Sequence, residues 1–112
     1  MEENLKRFVG QHVVVTGAGS GIGAGIAHRF TAEGARVTVA DINQEGGMNV
    51  VKEITGKGGT AQYLPVDVSK EDSILELVKK AHETFGAIDV AVSNAGISET
   101  QASCLEISGA EW

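Results

Sequence analysis

Short, wholly apolar runs alternate along the chain with longer stretches in which apolar residues recur every three or four positions. "HVVVT" (12–16) is β-branched and follows Gly10, which predicts a strand buried on both faces. From Ile22, the positions Ile22, Ile26, Ala27 and Phe30 mark one helical face, closed by Gly34. "RVTVAD" (36–41) predicts a second strand. A second helix is predicted from Asn43 to Gly56, with Val50, Val51 and Ile54 inward. Gly46 and Gly47 each cost about 1 kcal/mol against alanine inside a helix, so its first turn is expected to be loose. "TAQYLPVDV" (60–68) predicts a third strand that closes near Pro65. Ser69 is a candidate cap for a third helix, with Glu71 and Asp72 favourable in its first turn. Its face is Ile74, Val78, Ala81 and Phe85, and Gly86 stops it. "IDVAVSNAG" (88–96) predicts a fourth strand entering a turn, and Ser108 could open another helix.

Strands alternating with helices argue for a parallel sheet with helices on its faces. No repeat, low-complexity tract or linker divides residues 1–112, so they read as part of a single domain.

Composition narrows the possible partners. The formal net charge of −6 disfavours nonspecific binding to nucleic acid or to an anionic membrane surface. No segment approaches the roughly 20 apolar residues that cross a bilayer, and "MEENLKRFVGQH" lacks the apolar core of a signal peptide. The one cysteine, Cys104, cannot form an intrachain disulfide, which fits a reducing compartment. A soluble cytoplasmic protein is expected. His12, His28 and His82 have no metal-ligand spacing and no assignable acidic partner, and read as surface or strand-end residues. Cys104 reads as a small core or loop residue, and no metal site is expected.

Five of the 15 glycines fall at 17, 19, 21, 23 and 25, between the first strand and the first helix. In a mononucleotide fold this is where a pyrophosphate binds. One glycine there makes the tight turn, one lets the backbone approach the phosphates, and one lets helix and strand pack closely. The N–H groups at the helix start then hold the anion. The alternative is a glycine-rich turn without a ligand. Gly19-x-Gly21-x-x-Ala24 fits the general dinucleotide pattern, but "TGAGSGIG" (16–23) is more specific. It resembles the nucleotide motif of the short-chain dehydrogenase/reductase family. That resemblance gives Gly17, Gly21 and Gly23 the three tasks and sets Ser20 and Ile22 along the pyrophosphate.

Asp41 ends the second strand, 18 residues past Gly23. An acid there accepts hydrogen bonds from the adenosine ribose and repels a 2′-phosphate. The neighbouring positions that could compensate hold Ala18, Ser20 and Ile42, none of them basic. NAD is therefore expected over NADP, with Ile42 among the cofactor-binding residues. Asp41 could instead serve as a helix cap. "VDVS" (66–69) resembles the family's adenine contact, with Asp67 near the exocyclic amine and Val68 along the ring edge. Apart from the family, Asp67 is a polar residue at a strand end. "SNAG" (93–96) resembles the family's Asn-Asn-Ala-Gly turn, which implies that Asn94, Ala95 and Gly96 line the ribose side. Read alone, it is a strand-end turn.

The resemblance implies hydride transfer between NAD(H) and a small alcohol or carbonyl substrate, on an incomplete Rossmann-type doubly wound parallel sheet. Four strands in the order 3-2-1-4 and three full helices are expected. In the family, proton transfer belongs to a tyrosine, with a lysine four residues later that lowers its pKa and a serine that binds the substrate oxygen. Here the single tyrosine, Tyr63, is followed four residues on by Asp67, and none of Ser93, Ser98, Ser103 or Ser108 precedes a Tyr-x-x-x-Lys. No catalytic residue is assigned, and the chain alone is expected to be inactive and poorly stable. Homo-oligomers are expected only with the family's later helices. The alternative is a non-catalytic module that binds a nucleotide or pairs with another subunit.

Overall fold

The computed structural model describes residues 7–94. They form β1 (His12–Thr16), α1 (Gly21–Ala32), β2 (Arg36–Asp41), α2 (Gln44–Gly56), β3 (Thr60–Pro65), α3 (Glu71–Phe85) and β4 (Val90–Ser93). The strands make one parallel sheet in the order β3-β2-β1-β4. The sheet therefore grows from β1 in two directions, which creates a switch point beside its carboxyl end.

The valine runs are buried because helices cover both faces of the sheet, as parallel strands require. Val13, Val15, Val37 and Val39 meet Ala27 of α1 and Val50 and Ile54 of α2. Val14 and Ala40 meet Ile74, Leu77 and Ala81 of α3. Each fully buried valine contributes about 1.5–3 kcal/mol. Pro65 falls at the end of β3, an edge strand, where its missing N–H is tolerated.

Several details depart from what the sequence predicts. The buried stripe of α3 is Ile74, Leu77 and Ala81, and Val78 sits half-buried on its flank. The steps of three and four from Ile74 centre the stripe on Leu77. Ser69 does not cap α3; its hydroxyl donates to Asp67 Oδ1 at 2.6 Å, and Lys70 takes the cap position without a side-chain bond. The first turn of α2 is regular helix, capped by Asn43, whose Oδ1 accepts the Gly46 N–H at 3.1 Å. Tertiary contacts explain its glycines. A Cβ on Gly47 would strike the Tyr63 ring, and one on Gly46 would come within 2.7 Å of the Gly19 carbonyl oxygen. Residues 95 and 96 of the fourth segment, Cys104 and the helix expected from Ser108 lie outside the described residues.

The histidines differ among themselves. His82 is exposed. His28 does have an acidic partner, Glu53 at 3.0 Å, which the 25-residue separation concealed. His12 opens β1 but is fully buried. Its Nδ1 faces the Gly86 carbonyl at 3.1 Å and its Nε2 faces the Thr38 hydroxyl at 2.7 Å. Gln62 Nε2 donates to the same hydroxyl at 3.0 Å. The assignment that satisfies every group runs from Gln62 through Thr38 to His12 Nε2, with Nδ1–H donating to Gly86. Burial holds the His12 pKa below its ordinary value, against an opposing push from the Gly86 carbonyl.

Glu33 ties the segment before β1 to the end of α1. It is 2% exposed. Its carboxylate accepts Arg7 Nε and Nη2, both at 2.9 Å, and Arg29 Nε at 2.5 Å. These guanidinium bonds hold its pKa at about 2, against 4.5 ordinarily. A carboxylate depressed on folding stabilises the fold above its unfolded pKa and loses that contribution as pH falls. The urea midpoint is therefore expected to drop between pH 4.5 and about 2, and the Glu33→Gln variant to lose that part of the slope. Parallel pH profiles for the two proteins would refute the assignment.

Candidate functional site

The strand ends and the turns after them bring one residue set to the carboxyl edge of the sheet. Gly17 leaves β1 with φ +67°, a conformation that favours glycine. Ala18 is fully buried, and its N–H reaches the Ala40 carbonyl at 3.2 Å, which docks the loop on β2. Gly19 N–H donates to Asp41 Oδ2 at 2.8 Å. Ser20 stands at the N-cap of α1 in extended conformation, with no side-chain cap bond, so its hydroxyl is not engaged by the helix.

Gly21 opens α1 and Ile22 follows, 77% exposed. Helix geometry leaves the N–H groups of Gly21, Ile22 and Gly23 without intrahelical partners, and no acidic side chain occupies the first turn. The positive end of the helix dipole stands behind them. Gly23 is where helix and strand touch. A Cβ there would run into the Gly17 carbonyl oxygen and approach Asn94 Nδ2 to 2.8 Å.

Asp41 lies beside this loop. Its Oδ2 takes the Gly19 N–H and its Oδ1 takes the Asn43 N–H, each at 2.8 Å. An ionised carboxylate has about four acceptor sites, so each oxygen retains capacity for a further donor. Ile42, next in the chain, is 71% exposed. Asn94 comes in from the other side of β1, with its N–H on Thr16 Oγ1 at 3.2 Å. Ala95 and Gly96 lie outside the described residues.

Asp67 and Val68 follow β3 at the same edge, and the side-chain hydrogen bonds of Asp67 are local. Asp67 Oδ1 accepts the Ser69 hydroxyl at 2.6 Å and the Ser69 N–H at 3.1 Å. The hydroxyl bond, then the N–H bond, hold the Asp67 pKa below its ordinary value. Val68 packs against the α3-side core. Ser93 Oγ is buried and finds no hydrogen-bond partner among the described residues. Gly19, Asn43 and Tyr63 belong to the site's framework, although spacing in the sequence marks only Gly19 for it. The cue for Asn43 is its place as a good cap residue just before two glycines. Among the described residues no three acidic, histidine or cysteine side chains cluster as a metal site would need, and no helix is long and apolar enough to cross a membrane.

A βαβ unit with bare amides at a glycine-rich turn, and an acid at the end of the second strand, is the arrangement with which Rossmann-type folds bind dinucleotides. Residues 11–112 match the short chain dehydrogenase family, and the chain belongs to it. Cis-4-hydroxycyclohexanecarboxylate dehydrogenase of Sinomonas cyclohexanicum is 40% identical over 94% of this chain and 42% of its own length. The 3beta-hydroxysteroid dehydrogenase of Mediterraneibacter gnavus is 38% identical over 96% of this chain and 39% of its own. The crystal structure of a hydroxysteroid dehydrogenase from Escherichia coli superposes with a TM-score of 0.81 at 39% identity, over 87% of this chain and 41% of that one. The chain thus spans well under half the length of these relatives. The family consists of oxidoreductases that use a nicotinamide cofactor, and this site fits one. The turn admits no side chain at Gly23, its helix-start amides are free of helix partners, and two large apolar side chains stand exposed beside it.

Proposed function

We propose that these residues form the NAD-binding part of an oxidoreductase that interconverts a small alcohol and its carbonyl compound. The observation that carries the cofactor choice is the Asp41 carboxylate, fastened at 2.8 Å to the Gly19 amide and so fixed beside the glycine turn. The amides of Gly21, Ile22 and Gly23 with the Ser20 hydroxyl hold the pyrophosphate, under the close helix packing that Gly17 and Gly23 permit. Asp41 accepts the two ribose hydroxyls on its remaining lone pairs, and Ile42 covers the adenosine. Asp67 and Val68 serve the adenine side and Asn94 the side of the second ribose, a role the family's turn motif extends to Ala95 and Gly96. Bound NAD supplies the hydride acceptor for the alcohol. The single tyrosine of the chain gives its hydroxyl to a main-chain carbonyl, so these 112 residues are expected to bind the dinucleotide without turning over substrate.

A 2′-phosphate would meet the Asp41 carboxylate with no lysine or arginine at 18, 20 or 42 to neutralise it. Like charges brought together at a binding site cost several kcal/mol, so NADH is expected to bind at least ~30-fold tighter than NADPH. Paired fluorescence titrations with the two cofactors test this. Equal or tighter NADPH binding would remove Asp41 from its role.

A further inference from the structure

Asp41 is the last residue of β2, where the ladder to β3 runs out opposite Pro65. Its carbonyl receives the Val66 N–H at a long 3.3 Å. The short bond comes from a side chain: Tyr63 Oη donates to the Asp41 carbonyl at 2.7 Å. Tyr63 reaches it because its ring lies over the bare Cα of Gly47, in space a Cβ would occupy. The adjacent Gly46 brings α2 against the Gly19 carbonyl, so the glycine turn, the first turn of α2 and Tyr63 converge on one acid.

We infer that Tyr63 is a positioning residue for cofactor selection: its hydroxyl fixes the Asp41 main chain, and so the carboxylate that reads the adenosine ribose, with Gly47 as its seat. The inference rests on the proposed NAD preference. Burial, and then the Asp41 carboxylate, push the Tyr63 pKa up, so the phenol remains a hydrogen-bond donor at neutral pH. The Gly19 and Asn43 N–H groups hold the carboxylate oxygens, but the main chain behind them is held by the ladder through one long amide bond only. The phenol bond fixes that main chain.

Tyr63→Phe keeps the ring on Gly47 and removes only the donor. Titrations of the full chain with NADH and with NADPH are expected to show NADH affinity reduced by about three- to tenfold and NADPH affinity nearly unchanged, the effect of one lost hydrogen bond transmitted through Asp41. A purely structural role would weaken both cofactors alike and leave their ratio intact. In an Asp41→Ala background the same substitution is expected to leave the ratio unmoved. Should the phenylalanine variant fail to fold, Gly47→Ala, which keeps the hydroxyl but displaces the ring, is expected to narrow the ratio in the same way. If Asp41→Ala collapses the ratio while Tyr63→Phe and Gly47→Ala leave it intact, Tyr63 has no part in selection. Tyr63 is equally excluded if the Tyr63→Phe effect persists without Asp41. If Asp41→Ala itself leaves the ratio unchanged, the NAD preference fails first and this inference falls with it.

Discussion

Replacing Gly23 by alanine is expected to lower NAD(H) affinity by about a hundredfold, ~2.7 kcal/mol, the largest loss of any single methyl addition among the described glycines. The added carbon would collide with the Gly17 carbonyl oxygen, with the Gly17 carbonyl carbon 2.8 Å away and Asn94 Nδ2 also at 2.8 Å. Two of these atoms are main chain and cannot rotate aside. The helix must lift off β1, and its first amides then leave the position from which they face the pyrophosphate. Overpacking of this kind also costs about 1–3 kcal/mol of stability, so binding must be measured where the variant is folded. Gly25 supplies the control. It lies in the same helix with open space where its Cβ would be. Gly25→Ala is expected to stabilise the protein by about 1 kcal/mol and leave affinity unchanged. Isothermal titration of both variants, with urea midpoints alongside, separates a site effect from a helix effect. If the Gly23 and Gly25 variants bound alike, Gly23 would have no special place in the site.

The second large effect is expected at the acid. Asp41→Ala combined with Ile42→Arg removes the charge that repels a 2′-phosphate and adds one that attracts it. The preference for NADH over NADPH is expected to fall by more than a hundredfold and to invert, since the change removes a like-charge contact, which costs several kcal/mol, and adds an attractive one. The Asp41→Ala change, alone or in the double variant, also carries a stability cost. It strands the Gly19 and Asn43 N–H groups, each of which gives its hydrogen to this carboxylate at 2.8 Å. The Gly19 donor is buried and costs about 1–3 kcal/mol when unmet, whereas the exposed Asn43 donor passes to water, so thermal stability should fall with cofactor affinity. Retention of NADH preference in the double variant would locate discrimination elsewhere.

The sheet could be read from the chain because its determinants are local. Runs such as Val13–Val15 are too short and too β-branched for any other reading, and a strand-helix alternation admits few topologies. The family resemblance then supplied the strand order 3-2-1-4, which the sheet has. Determinants set by partners distant in sequence could not be read. Gly46 and Gly47 looked like a defect in α2 because the surfaces that require them, the Gly19 carbonyl and the Tyr63 ring, come from a loop and a strand far along the chain. Ser69 looked like a cap because propensity favours it; the competing bond to Asp67 is invisible to propensity. Leu77 and Val78 are adjacent in the chain, and only packing against β1 and β2 chooses between them. At the site, residue types at motif spacing marked the glycines and Asp41. The amides that fasten Asp41, and the phenol behind it, follow from tertiary contact alone.

The buried path from Gln62 through Thr38 to His12 has a consequence for how the strands find their alignment. β1 carries Val13, Val14 and Val15 and β2 carries Val37 and Val39, so sliding one past the other by two residues would leave each side chain on its own face and still set one valine against another. Apolar matching alone therefore leaves some degeneracy of alignment. The polar triplet removes the degeneracy, because only one offset lets the imidazole meet the threonine hydroxyl while the glutamine reaches it from the far side. Each misplaced group would face hydrocarbon without a partner, at about 1–3 kcal/mol, enough to make the shifted sheets sparsely populated.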